Sequence, residues 1–204
     1  MIEGLLNTGV AFPLVMEPEG ADRDRPAALA SWLGDHADSL RQRLAEHPAI
    51  LFRGFGVRDV EQFDSCVRSA SASRQAYVHG NSPRTKLADG VYTSTEYPAK
   101  LPITLHNELS YRASWPAVLF FACLVAPETG GETPLVDSRE LLAALPADLV
   151  DRFTRLGVRY VQNLHGGAGL GKSWQDTFET RDRSEVERFL ASEDGDYQWL
   201  PNGT

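Results

Sequence analysis

The stretch ITLHNELSY, residues 103–111, places a histidine and a glutamate two positions apart, His106 and Glu108. In a β-strand, residues two apart project to the same side. One imidazole and one carboxylate would then face a common point, with Asn107 turned away. Those are two corners of a 2-His-1-carboxylate facial triad, a ligand set that leaves three open positions on iron(II). Oxygenase chemistry uses all three: two for a bidentate 2-oxo acid and one for dioxygen. Taken alone the pattern is weak. Five His and 28 acidic residues in a chain of 204 make about one chance His-x-acid pair unsurprising. His36 and Asp38 show the same spacing, but on a predicted helix, where side chains two apart do not face each other. His36 therefore reads as a surface helix residue.

A second stretch points to different chemistry. GGAGLGKS, residues 166–173, matches the pattern G-x-x-x-x-G-K-[ST] and follows a predicted strand. In a phosphate-binding loop, backbone amides cradle the phosphates, Lys meets their charge and Ser holds magnesium. The surroundings oppose this nucleotide-binding alternative. WQDTFETRDR, the next segment, lacks the apolar face of a helix packed on a sheet. Only 31 residues follow Ser173, with no apolar strand ending in Asp to hold the metal. The two cysteines, Cys66 and Cys123, are far apart and read as free, buried thiols in a reducing cytoplasm.

Several elements must position these residues. FPLVM, 12–16, reads as a short strand. Residues 27–46 read as one helix, with Leu29, Trp32, Leu33, Leu40 and Leu44 at helical spacing and Pro48 beyond its end. AILFRGF, 49–55, is a compact apolar strand, and 59–70 a helix. Residues 71–102 are rich in Ser, Thr, Pro, Gly and Tyr, a composition suited to loops around a site, with short strand pieces such as VYTST, 91–95. A strand is expected at 103–106. AVLFFACLVA, 117–126, reads as a buried strand, PETGGET as a turn and PLVD as a short strand. Asp137 or Ser138 could cap the helix RELLAAL. Pro146 starts another helix, ending at Gly157. VRYVQNL, 158–164, reads as a strand, and 184–192 as a short helix. No repeat or linker interrupts the chain, so one domain is expected over 1–204. The fold class is α+β, with helices gathered near the N-terminus and a β barrel or sandwich as core.

Composition narrows the partners. Hydrophobic residues make up 42% of the chain, enough for a substantial core, and the net charge is −8. A negative surface repels phosphate backbones and anionic membranes, so neither nucleic acid nor membrane is an expected partner. No stretch approaches the roughly 18 apolar residues of a membrane span. The N-terminus lacks a cationic start followed by an apolar run, so no signal peptide is expected.

In this order, AILFRGF, VYTSTEYP, LHNELSY, FFACLVAPETGGETPLVDSR and VRYVQNL resemble the taurine dioxygenase/TfdA-type family of Fe(II)- and 2-oxoglutarate-dependent oxygenases. The wording is most similar to its branch of syringomycin-biosynthesis hydroxylases. The resemblance runs from about residue 49 to the end. It implies a double-stranded β-helix, a jelly-roll fold, with His106 and Glu108 as metal ligands. It implies that Thr133, in the turn Gly130-Gly131-Glu132-Thr133, contacts 2-oxoglutarate. Thr133 follows His106 by 27 residues, the separation the family shows. A carboxylate at Glu108 favours hydroxylation; related halogenases have a small residue there. By the same resemblance, 2-oxoglutarate is decarboxylated to succinate and CO2, with O2 as co-substrate. The substrate is a small molecule, and the branch suggests an amino acid, free or tethered to a carrier protein in secondary metabolism.

The resemblance also implies a second metal His and an Arg for the distal carboxylate of 2-oxoglutarate, both in the family's C-terminal part. After Glu108 the sequence holds one histidine, His165 in QNLHGGAG, where the family has a loop. The expectation is therefore a barrel cut short, the chain being a portion of a longer protein. Completion by a second chain and a degenerate fragment acting as a binding or assembly module are the alternatives. Tyr77, Asn81, Ser94, Glu96 and Tyr111 lie in or beside the polar region around the motif and could line a substrate pocket. Glu96 could hold a substrate ammonium. Each reads equally well as an ordinary loop residue. Trp115 and Trp174 are expected to pack, and Arg139 to serve its own helix. The oligomeric state is open, a homo-oligomer included.

Overall fold

A computed structural model of the chain describes residues 1–6, 12–74, 84–96, 98, 100–169 and 172–201. Two units emerge. The first takes in Met1–Gln75, Lys86–Val91 and Leu119–Thr133, and the second Ala76–Thr85, Tyr92–Val118 and Pro134–Thr204.

In the first unit, β1 (Ile2–Leu5) pairs antiparallel with β2 (Leu14–Glu17), and β2 pairs parallel with β3 (Ile50–Phe52). The parallel pair needs a crossover, supplied by α1 (Pro26–Asp35) and α2 (Ala37–Glu46). α3 (Val60–Ala70) follows β3. Leu29, Ala30 and Leu33 of α1, Leu40 of α2, Phe55, and Cys66 and Ala70 of α3 form the core. Met16 of β2 is fully buried.

The helix expected over 27–46 breaks at His36. The backbone N–H of His36 donates to the Trp32 carbonyl at 3.0 Å, and its ring Nδ1–H donates to the same oxygen at 2.8 Å. The imidazole stacks on Trp32 at 4.5 Å. A side chain that takes over a ladder carbonyl interrupts the helix at that turn. Asp59 starts α3 by accepting the Gln62 N–H at 2.8 Å. Gly56 is obligatory: at φ +71°, a Cβ would meet the Asp24 backbone at 2.9 Å.

The hairpin of β4 (Lys86–Ala88) and β5 (Val91–Tyr92) turns at Gly90, φ +71°. In the second unit, α4 (Ser138–Ala144) is capped by Asp137, which accepts the Arg139 N–H at 2.9 Å. Arg139 also pairs with Asp137 through its guanidinium, so it serves its helix as expected. α5 (Ala147–Leu156) runs from Pro146 to Gly157, which takes φ +69°. α6 (Trp174–Phe178) and α7 (Arg183–Ser192) complete the unit.

Three expected strands, at 103–106, 117–126 and 158–164, carry no strand hydrogen-bond ladder, and neither does PLVD. The reason is pairing. Alternation and apolar content report what side chains need, whereas a strand exists only when its N–H and C=O groups meet a neighbour's. These segments have no such neighbour among the described residues. Their side chains are correspondingly bare: Phe121 is 64% exposed, Val125 87% and Val161 73%. AVLFFACLVA is thus exposed where burial was expected, and Cys123 with it, while Cys66 is buried as expected. The molecule mixes helix and sheet, and no barrel closes among the described residues. No helix among them is long and apolar enough to cross a membrane.

Candidate metal site

His106 lies in an irregular stretch and Glu108 begins a turn. The His106 ring donates its Nδ1–H to the Thr104 carbonyl at 2.7 Å. A carbonyl only accepts, so Nδ1 carries a proton, and in the neutral ring the lone pair lies on Nε2. Backbone carbonyls commonly fix ligand histidines this way. The His106 side chain is exposed.

Glu108 is held from a distance in sequence. Arg84 Nη2 donates to its Oε2 at 3.0 Å, and the two side chains are only 17% and 15% exposed. The next residue, Leu109, takes φ +52°, a left-handed conformation that costs a bulky residue about 1–2 kcal/mol. Burial of its side chain, 4% exposed, holds it there. The Arg112 N–H closes the turn onto the Leu109 carbonyl at 3.0 Å.

A second ion pair fixes the chain just beyond. Glu193, at the end of α7, accepts from Arg112 Nη2 at 2.7 Å, from the Ala113 N–H at 3.1 Å and from Ser114 Oγ at 3.4 Å. The Arg112 guanidinium also lies over the Phe189 ring at 5.2 Å. The Arg112 hydrogen bond, with the charge behind it, holds the Glu193 carboxyl below its usual range. Tyr111 packs edge-on against Tyr160 at 6.4 Å, and Tyr160 Oη–H donates to Ser110 Oγ at 3.4 Å.

The candidate pocket residues fall differently. Glu96 accepts hydroxyl hydrogen bonds from Thr85 at 2.7 Å and Thr93 at 2.8 Å, both on Oε1. The Thr85 bond, then the Thr93 bond, lower its pKa, so it is a carboxylate at neutral pH. Ser94 is exposed and Tyr111 half-buried. Tyr77 and Asn81 lie outside the described residues. Thr133 belongs to the first unit and is exposed. In its turn, Gly131 at φ +77° leaves no room for a side chain, since a Cβ would meet Pro127 at 2.6 Å. Trp174 is buried and packs on Trp199 at 5.2 Å, whereas Trp115, expected to pack, is 65% exposed.

His165 is built into a loop. Its Nδ1 accepts the Gly167 N–H at 3.1 Å, so a neutral ring carries its proton on Nε2. Its carbonyl accepts the Trp174 N–H at 3.0 Å. The phosphate-loop pattern leads only to α6, a helix of five residues. There Ser173 Oγ caps the Asp176 N–H at 3.1 Å and donates to Asp176 Oδ2 at 2.7 Å, so its hydroxyl is committed within the chain. Sequence reasoning missed Arg84, Arg112 and Glu193.

His106 and Glu108 thus contribute an imidazole held by a backbone carbonyl and a carboxylate held by an arginine, two positions apart in the chain. Among the described residues, no group of three or more His, Cys, Asp or Glu side chains is placed to hold a metal ion. Residues 13–195 match the model of the family described as "Taurine catabolism dioxygenase TauD, TfdA family". The chain belongs to that family. It is 37% identical over 157 residues to the dapdiamide synthesis protein DdaC of Enterobacter agglomerans, covering 77% of this chain and 47% of that one. It is 30% identical over 203 residues to a clavaminate synthase-like protein of Arabidopsis thaliana, covering 94% of this chain and 62% of that one. The chain thus spans about half to three-fifths of the length of these relatives.

Proposed function

We propose that this chain is the metal-bearing part of an Fe(II)- and 2-oxoglutarate-dependent oxygenase that hydroxylates an unactivated C–H bond of a small molecule. His106 Nε2 and a Glu108 oxygen would hold the iron; Thr133 is the residue that the family resemblance assigns to 2-oxoglutarate. The observation that carries this reading is the His106 ring, whose proton is drawn to Nδ1 by the Thr104 carbonyl so that Nε2 is left to ligate. Family membership over residues 13–195 supports it. When bound, iron with 2-oxoglutarate and O2 supplies the oxidising power for C–H cleavage. The chain's own residues orient the imidazole, keep the carboxylate in place and, through Arg112 and Glu193, fix the turn that follows it.

The extended apolar stretches at 103–106, 117–126 and 158–164 are read as strands of one double-stranded β-helix domain, part of a larger whole. Their apolar side chains, bare in the described structure, suit a jelly-roll interior. The substrate proposed is an amino acid, free or carrier-tethered, in a biosynthetic pathway. A relative named for dapdiamide synthesis supports a biosynthetic role. Glu96, ionised at neutral pH, would meet the substrate ammonium, with Ser94, Tyr111, Tyr77 and Asn81 as further pocket candidates.

The test is turnover. With Fe(II), ascorbate and 2-oxoglutarate, amino acids and their carrier-bound thioesters are screened for succinate release and a mass gain of one oxygen. Product from one of them, lost in His106→Ala, supports the proposal. A well-folded chain that holds iron and turns over none of them favours a binding or assembly module.

A further inference from the structure

We propose that Arg84 is the positioning residue for Glu108, its guanidinium holding Oε2 so that Oε1 alone is offered to the metal. This rests on the reading of Glu108 as a metal ligand. The pair is a charge-assisted hydrogen bond of 3.0 Å between side chains that are both largely removed from water. In such a setting the bond is stronger and better directed than at a surface. Among the described residues only Arg84 donates to the Glu108 carboxylate, and its guanidinium orients that group.

Arg84 itself springs from a fixed point. Its neighbour Thr85 is bonded to Thr93 in both directions, through N–H to Oγ1 at 2.8 Å and through the Thr93 N–H to the Thr85 carbonyl at 2.9 Å. The guanidinium is therefore anchored at its base and tied at its tip. The consequence is chemical. A carboxylate that binds through both oxygens takes one of the positions a facial triad leaves open. A carboxylate with one oxygen engaged by Arg84 contributes a single donor and keeps that position free. Hydrogen-bonding partners of metal-bound carboxylates typically change metal affinity by about 10–100-fold when removed.

The test is anaerobic titration of the 204-residue chain with Co(II), read by its visible ligand-field spectrum. Wild type, Arg84→Met, Arg84→Lys, Arg84→Gln and Glu108→Gln are compared after a thermal melt confirms that each folds. Arg84→Met is expected to bind Co(II) about 10–100-fold more weakly and with an altered spectrum, and Arg84→Lys to recover much of both. If Arg84→Met does not fold, Arg84→Lys and Arg84→Gln, which keep an N–H donor with and without charge, carry the comparison. A pair that serves stability alone would shift the melt and leave affinity and spectrum as in wild type, and that result overturns the proposal. In that case, loss of Co(II) binding in Glu108→Gln still leaves the metal reading standing. Wild-type binding by Glu108→Gln, or none by the native chain, removes the metal reading and the role of Arg84 with it.

Discussion

His106 and His165 carry their ring protons on opposite nitrogens. His106 gives its Nδ1–H to the Thr104 carbonyl and is exposed. His165 accepts the Gly167 N–H on Nδ1, binds Trp174 through its own carbonyl and packs so closely that a Cβ on Gly169 would stand 2.7 Å from the ring. The first ring is the proposed ligand, and the second closes its own loop. What separates them is the partner of the second nitrogen, a carbonyl in one case and an amide in the other.

The difference can be broken most directly at the rings themselves. His106→Ala is expected to weaken Fe(II) binding on the order of 100-fold or more, because a ligand is lost outright. His165→Ala should leave affinity within about 2-fold, since its side chain acts within the loop. Equilibrium metal titration of both variants measures this; equal losses would erase the distinction.

Next in size is the support behind the His106 segment. Glu193→Gln is expected to cost about 2 kcal/mol, since hydrogen bonds to a charged, largely buried partner are removed. The sign with pH follows from the lowered carboxyl. A depressed folded-state pKa stabilises the native form above the ordinary value of 4.5, and the contribution disappears as pH falls through the folded value. Urea unfolding at pH 7 should therefore separate wild type from variant, and the gap should narrow as the medium is acidified below pH 4.5. A gap that widens in acid would contradict the pairing with Arg112.

The smallest effect belongs to the His165 loop. Gly169→Ala should cost about 1 kcal/mol through crowding against the ring. The double variant His165→Ala/Gly169→Ala should remove most of that crowding cost, while metal binding stays at the wild-type level throughout. Additive losses in the melt would show that the loop is not closed on the ring.

Much of the helical structure was legible because its signals are local. Asp59 with Gln62, Asp137 with Arg139, and the Pro146 to Gly157 bracket each lie within a turn or a helix length of the element they define. The break at His36 was not legible, because it depends on a ring folding back onto the Trp32 carbonyl. Strands were less legible still. Val, Phe and Leu in AVLFFACLVA state a need for burial, but a ladder needs a second chain segment that periodicity does not name. At the candidate site, His106 and Glu108 stood out by type and spacing. Arg84 lies 24 positions before Glu108, and Glu193 81 positions after Arg112, too far for any local pattern. The left-handed Leu109 carried no glycine or asparagine to announce it.

The central claim is that His106 and Glu108 hold iron. Anaerobic addition of Fe(II) and 2-oxoglutarate to this chain, followed in the visible range, tests it most directly. A weak charge-transfer band of the iron-bound 2-oxo acid should appear in wild type and be absent in His106→Ala and Glu108→Gln. A band that survives in His106→Ala, or one that never forms in the native chain, would contradict it.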